Sequence, residues 1–345
     1  MKLTFRYLIL IGLFFPFILL SCTTVPNAAS LEALANARTA AEEARSKAEY
    51  VDGSTYCPEE WGLAEDRYSA AKAYAAPETK KEATTQTGEW KGLNVAYQDI
   101  YGKSIPQFAG EQQKRLTAAR EEAVKAGADD LVPEHVAKAD EYSDSSKSKL
   151  EKNDFAGSIR DGKEALDRYK VLQTIAEAHN KQEEADNNNF FSVDADNYML
   201  AAEAGNNAVD LYDKNQIPES QEAAEEALDR FTQVVKNGWV YSVEEKASVA
   251  KEWRDASQEV KADVAVKQEY DAADRVYNNA HVALRAEEYA VAAELFEQSG
   301  GLFSKAHDNA LIKRERAEEA LRDAELKLAE SEKKAQTAQE LFGGE

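Results

Sequence analysis

The sequence predicts an all-α protein, a helical-hairpin repeat array resembling either a tetratricopeptide-like solenoid or an elongated bundle, with a long helix at the C-terminus. Three observations carry this prediction. Ala recurs at three- and four-residue spacings from Leu31 onward, interleaved with Glu, Lys and Arg. Runs of β-branched residues and alternating strand patterns are almost absent. The segment beginning near Ala139 also matches a later one without gaps at an offset of 62 residues. With 345 residues, 7 Pro and 16 Gly, the chain is long enough for two or three ordinary domains or for one extended array.

The N-terminus reads as an address. Lys2 and Arg6 precede an apolar run over residues 7–20, short of the roughly 20 residues that a membrane-spanning helix needs but suited to a secretory signal. Leu19-Leu20-Ser21-Cys22 follows and resembles the bacterial lipobox, where a Leu three residues before Cys and a small residue directly before it direct the lipoprotein signal peptidase. The resemblance implies cleavage between Ser21 and Cys22, loss of residues 1–21 as signal peptide, and lipidation of Cys22. Each buried methylene adds about 0.8 kcal/mol, so three acyl chains anchor permanently where one would bind reversibly. Cleavage leaves 40 basic against 64 acidic residues, a formal charge of −24. Residues 22–30, small and polar apart from Val25 and Pro26, predict a lipid-anchored linker.

Residues 31–307 predict a four-unit repeat body. Ala139, Leu150, Phe155, Ala165-Leu166-Asp167-Arg168 and Tyr169 recur as Ala201, Tyr212, Ile217, Ala227-Leu228-Asp229-Arg230 and Phe231. A further copy has Ala273, Leu284, Glu288-Tyr289-Ala290 and Phe303, and a weaker first copy pairs Pro58-Glu59-Glu60-Trp61 with Pro133-Glu134-His135-Val136. Each unit reads as a helix of about 18 residues, a short break such as residues 151–154, and a return helix ending near an aromatic. Small alanines permit close helix approach, and stacking completes a core that no single hairpin can bury. Leu166 and Leu228 are expected inside the return helices, with Arg168 and Arg230 on the opposite side. Further Ala-rich helices over residues 31–50, 111–126 and 243–266 make three helices per unit as consistent with the sequence as two. Turn chemistry predicts breaks at residues 52–54, 76–77, 102–106, 126–129, 187–189, 215–218 and 237–238. The first unit departs most, with an insertion around residues 77–87. Residues 308–345 predict a long C-terminal helix whose Ala-diluted stripe of Ala317, Leu321, Ala324 and Leu328 becomes more exposed towards its end.

Composition excludes more chemistry than it selects. A net charge of −22 repels phosphate backbones, so nucleic acid is not an expected partner. Two cysteines cannot form a disulfide framework or a four-ligand zinc site, and Cys57 reads as a semi-buried structural thiol. His135, His179, His281 and His307 show no metal-ligand spacing, so neither metal nor cofactor is expected. Carboxylate pairs such as Glu42-Glu43, Glu121-Glu122, Glu225-Glu226 and Glu318-Glu319 read as solvated faces, and the oxygen-rich stretch 186–196 lacks the Gly and terminal Glu of a calcium hand. No Gly-rich phosphate loop or Gly-x-Ser-x-Gly is present, and no catalytic residue is assigned. The aromatics are numerous for so Ala-rich a body. Most are expected as core plugs, and Trp61, Trp90 and Trp239 are the candidates for lining a groove.

Residues 165–172, the helix over residues 201–212, residues 224–231 followed by Gly238, and the helix over residues 289–303 together resemble the treponemal membrane protein A family of spirochaetal lipoprotein antigens. The similarity is strongest from about residue 134 to residue 310. It implies a membrane-anchored antigen without a known catalytic role and carries over no site residue beyond Cys22. The expected function is therefore a non-catalytic envelope scaffold or protein-interaction module, exported and lipid-anchored, with outer-membrane sorting favoured by Thr23 after the lipidated Cys. The expected partners are the membrane, through the lipid, and another envelope protein. The alternatives are a helical partner of a periplasmic solute-binding protein or transporter and, further off, an envelope hydrolase. The oligomeric state stays open.

Overall fold

A computed structural model describes residues 24–342 of the chain. Ser21 and Cys22, with the rest of the expected signal peptide, lie outside the described residues. Twelve α-helices and one short 3-10 turn account for the regular structure among those residues, and none is a strand. They are α1 (Ala28–Tyr50), α2 (Gly53–Tyr56), α3 (Pro58–Lys72), α4 (Lys80–Lys125), α5 (Ala128–Leu131), α6 (Pro133–Glu151), α7 (Phe155–Asn187), α8 (Ala195–Asp213), α9 (Ile217–Glu259), α10 (Ala262–Ala265), α11 (Lys267–Arg285) and α12 (Tyr289–Phe342), with the 3-10 turn at Phe190–Ser192. No described helix is long and apolar enough to cross a membrane.

Backbone conformation repeats along the chain. Every residue of positive φ among the described residues falls into one of two series. Asp52, Gly127, Asn189 and Lys261, spaced by 75, 62 and 72 residues, each precede a single helical turn that leads into a shorter helix. Asn153, Asn215 and Glu287, spaced by 62 and 72, each sit in a three-residue break before a long helix. At these breaks the N–H after the left-handed residue reaches back to close the preceding helix, as in Asp154 to Lys149 (2.9 Å), Gln216 to Leu211 (2.9 Å) and Glu288 to Ala283 (3.0 Å). This satisfies helix-end carbonyls that would otherwise lack donors.

The return helices are much longer than the hairpin prediction. Residues 111–125 and 243–259 are the ends of α4 and α9 rather than separate helices, so the third segment of each unit is a continuation of the second. Two expected breaks are also absent. Pro106 lies inside α4, where it forgoes one helical hydrogen bond but is flanked by buried Ile105 and Ala109. Gly238 lies inside α9 because Phe190 packs on its backbone, and a Cβ there would come within 2.1 Å of the ring. The insertion in the first unit is a trade: α3 ends a turn early and the break is a turn longer, so Ala83 and Tyr97 are buried in step with Ser158 and Leu172. The N-terminal linker is shorter than expected, since Asn27 caps α1 through Ser30 N–H at 2.9 Å. The C-terminal helix starts at Tyr289, well before residue 308.

The described residues fall into two compact units, one running up to Thr117 with Glu141–Lys163, the other comprising Ala118–Asp140 and the chain from Glu164. In the first unit α1 contributes only alanines to the core, Ala37, Ala41, Ala44 and Ala48, so α3 and α4 approach closely and Trp90, Leu93 and Tyr97 fill the space. Ser146 Oγ reaches the Ser158 carbonyl on the next helix at 2.8 Å, which shows how near the two backbones lie. In the second unit Ser220 Oγ reaches the Ala208 carbonyl at 2.6 Å, the same contact with the donor on the other helix. Phe231, Phe296 and Phe303 plug the second unit's core. Beyond Ala310, α12 is exposed from Ile312 to Glu340.

Candidate binding cleft

At the joints between successive helices the same three positions recur. In the first unit Arg45 on α1 donates two hydrogen bonds to Glu65 on α3, at 2.7 and 3.0 Å, with its guanidinium 5.2 Å from the centre of the Tyr68 ring. At the equivalent positions of the second unit Arg120 on α4 grips Asp140 on α6 at 2.8 and 3.0 Å. Further on, Arg254 on α9 lies 2.8 Å from Asp274 on α11 and 5.1 Å from the Tyr277 ring centre. Two-pronged pairing and cation–π contact both favour Arg over Lys at such a joint. Burial alone would raise the Glu65 carboxyl, but hydrogen bonds from Arg45 and Tyr97 outweigh it and hold it below the usual range. Asp140 is lowered in the same way, against burial, by Arg120 and Tyr169.

One joint breaks this rule. Between α7 and α8 the three positions are Gln182, Ala202 and Gly205, so the cation, the carboxylate and the aromatic ring are all missing. These smaller residues border a cleft of about 190 Å³ within the second unit. Its walls are mainly apolar, from Leu131, Val132, Ile175, Val209 and Phe231, and His179 and Asn206 add polar groups. Gln182 donates to the Tyr198 hydroxyl at 3.2 Å, and that hydroxyl donates to Asp186 at 2.6 Å. The Tyr198 hydroxyl is raised above its ordinary pKa, first by burial and then by this bond to Asp186. The cleft is smaller than the roughly 300 to 1,000 Å³ typical of small-molecule sites, so it suits one inserted apolar side chain rather than a whole cofactor.

The predicted groove tryptophans lie elsewhere. Trp90 is buried, edge-on to Tyr68 at 5.7 Å, and is core rather than groove. Trp61, half-buried, packs edge-on to Tyr97 at 5.7 Å beneath Arg45. Trp239 packs edge-on to Phe190 at 5.1 Å and donates its indole N–H to Glu184 at 3.0 Å. All three are engaged in packing. Cys57 is buried, its Sγ 3.7 Å from Ser104 Oγ. His135 stacks edge-on with Tyr212 and sits 3.0 Å from Asp213, and His307 lies edge-on to Trp253 at 5.8 Å. Among the described residues no group of three His, Cys, Asp or Glu side chains is placed to hold a metal ion.

Sequence reasoning missed Gln182, Ala202 and Gly205 because they carry no chemistry of their own. Their signal is a departure from a pattern, visible only once Arg45, Arg120 and Arg254 are aligned with Glu65, Asp140 and Asp274.

Fold and cleft together define an all-α repeat protein with one modified joint. Over 194 residues the chain is 25% identical to treponemal membrane protein A of Treponema phagedenis, a match covering 56% of this chain and 54% of that protein. The chain thus spans about half the length of the relative it matches, and the relationship is distant. No protein-family profile matches the chain. No solved structure matches it either.

Proposed function

We propose that the chain is a lipid-anchored, non-catalytic envelope protein whose helical array binds another protein, using the cleft between α7 and α8 to seat an apolar side chain. The observation that carries this reading is the loss of the Arg, carboxylate and Tyr trio at one joint while three others keep all or part of it. A structural array gains nothing from leaving one joint open, whereas a binding module gains an anchor point. Anchoring is supported by the Leu19 to Cys22 sequence and by the relative's being a membrane protein. Tethering raises the array's effective concentration towards anything in the same layer, so a shallow cleft suffices. The acidic surface favours basic or neutral partners, with binding that weakens as salt rises.

The test is crosslinking of the intact lipoprotein in cells, comparing the natural chain with the double variant Gln182→Arg, Ala202→Asp, which restores the pair found at the other joints. Loss of a specific crosslinked protein in the variant supports the reading. Unchanged capture, or turnover of peptidoglycan, nucleotides or esters by the soluble body, overturns it.

A further inference from the structure

The last part of α12 leaves the body with an unpartnered, patterned face. From Ile312 through Glu340 every residue is exposed, including Leu321 at 63% and Leu328 at 61%. Apart from Lys313, which donates to the Ala265 carbonyl at 2.8 Å, no described hydrogen bond or ion pair joins this stretch to the rest of its own chain, although packing is what holds most protein helices together. From Ala317 on its residues nevertheless follow a seven-residue repeat. Leu321, Leu328 and Ala335 occupy one seam position, and Ala317, Ala324, Ser331 and Ala338 the other, alternating at three- and four-residue steps, while Arg314 ends the seam one repeat earlier. The small second position lets a neighbouring helix approach closely, while the leucines supply apolar area.

Charge decides what that neighbour is. The positions flanking the seam are segregated by sign: Glu318, Glu325 and Glu332 on one side, Ala320, Lys327 and Lys334 on the other. In a parallel, in-register pair of identical helices, each flank faces the opposite flank of the partner, so Lys327 meets the second copy's Glu332. In an antiparallel pair each flank would face itself, Glu against Glu and Lys against Lys, and be repelled. We propose that residues 317–340 form a parallel two-stranded coiled coil with a second copy of this chain. This goes beyond the binding role of the cleft and is independent of it. Leu326 lies on the outer face and takes no part.

The full chain in detergent is sedimented over a rising concentration series. The natural chain should approach about twice its monomer mass, and Leu321→Glu with Leu328→Glu should remain monomeric with unchanged helicity. Replacing Glu318, Glu325 and Glu332 by Lys should dissociate the pair, and further replacing Lys327 and Lys334 by Glu should restore it. Under oxidation Ala338→Cys should give a covalent dimer that neither the natural chain nor Glu330→Cys gives. A monomer at all concentrations, association that survives the leucine replacements, or a failure of Ala338→Cys to crosslink within an associated species would overturn the proposal.

Discussion

Arg168 shows how the array places charge. It is fully buried, its guanidinium 5.1 Å from the Tyr212 ring centre, donating to Glu164 at 2.8 Å and also to Asn215. It therefore ties α7 to the break between α8 and α9. The expectation that Leu166 points inward and Arg168 outward is reversed: Leu166 is half-buried, as is Leu228, and the interior positions are Ala165, Tyr169, Ala227 and Phe231. Arg168→Ala should cost about 3 kcal/mol, because it removes a buried guanidinium that ties α7 to Asn215 and leaves a void, and Leu166→Ala only about 1 kcal/mol. Chemical denaturation of both variants checks the order, and equal losses would discredit the burial. His281 gives a pH prediction. Burial, then Arg285 and Arg254, lower its pKa below the usual 6.5. The unfolded chain thus takes up a proton that the folded chain resists, so stability should fall as pH drops below about 6.5 and level off beneath the folded-state value. Thermal unfolding between pH 7.5 and 5.5 should show a smaller decline in His281→Asn than in the natural chain.

At the scale of elements, the left-handed residues separate favourable choices from costly ones. Asn153 and Asn215 tolerate this conformation, while Glu287, at φ 59°, holds the equivalent position with a side chain that disfavours it. Glu287→Gly should stabilise the chain by up to about 1 kcal/mol. Asn215→Gly should change stability by only a few tenths of that beyond what loss of the Arg168 contact costs. Differential scanning calorimetry distinguishes these outcomes, and destabilisation by Glu287→Gly would argue against the left-handed break. The elements were largely legible in sequence. The exceptions were Pro106 and Gly238, read as breaks because local turn chemistry points that way. Both lie within helices because partners far along the chain, Phe190 above all, reward continuity there.

At the scale of the whole molecule, the anchor and the body are separate problems. In the proposed reading the body's charge and cleft act on whatever shares its layer, and residence there rests on lipidation of Cys22. Radiolabelled palmitate should enter the natural chain and be absent from Cys22→Ala, which should also partition into the aqueous phase. Label persisting in the variant would refute the lipidation. Far-UV circular dichroism should be the same in both, since no described contact depends on residue 22.

The helical class, the hairpin breaks at Asn153 and Asn215, and the exposed end of the last helix follow from the sequence alone. Alanine spacing, turn residues and charge act over a few residues and need no partner to be expressed. The length of the return helices, the register that buries Arg168 rather than Leu166, and the open joint at Gln182, Ala202 and Gly205 were decided only in the tertiary structure. In each case the deciding contact joins residues distant in sequence: Phe190 with Gly238, Arg168 with Asn215, and α7 with α8 where a missing Arg, carboxylate and Tyr leave space that a linear reading registers as three unremarkable residues.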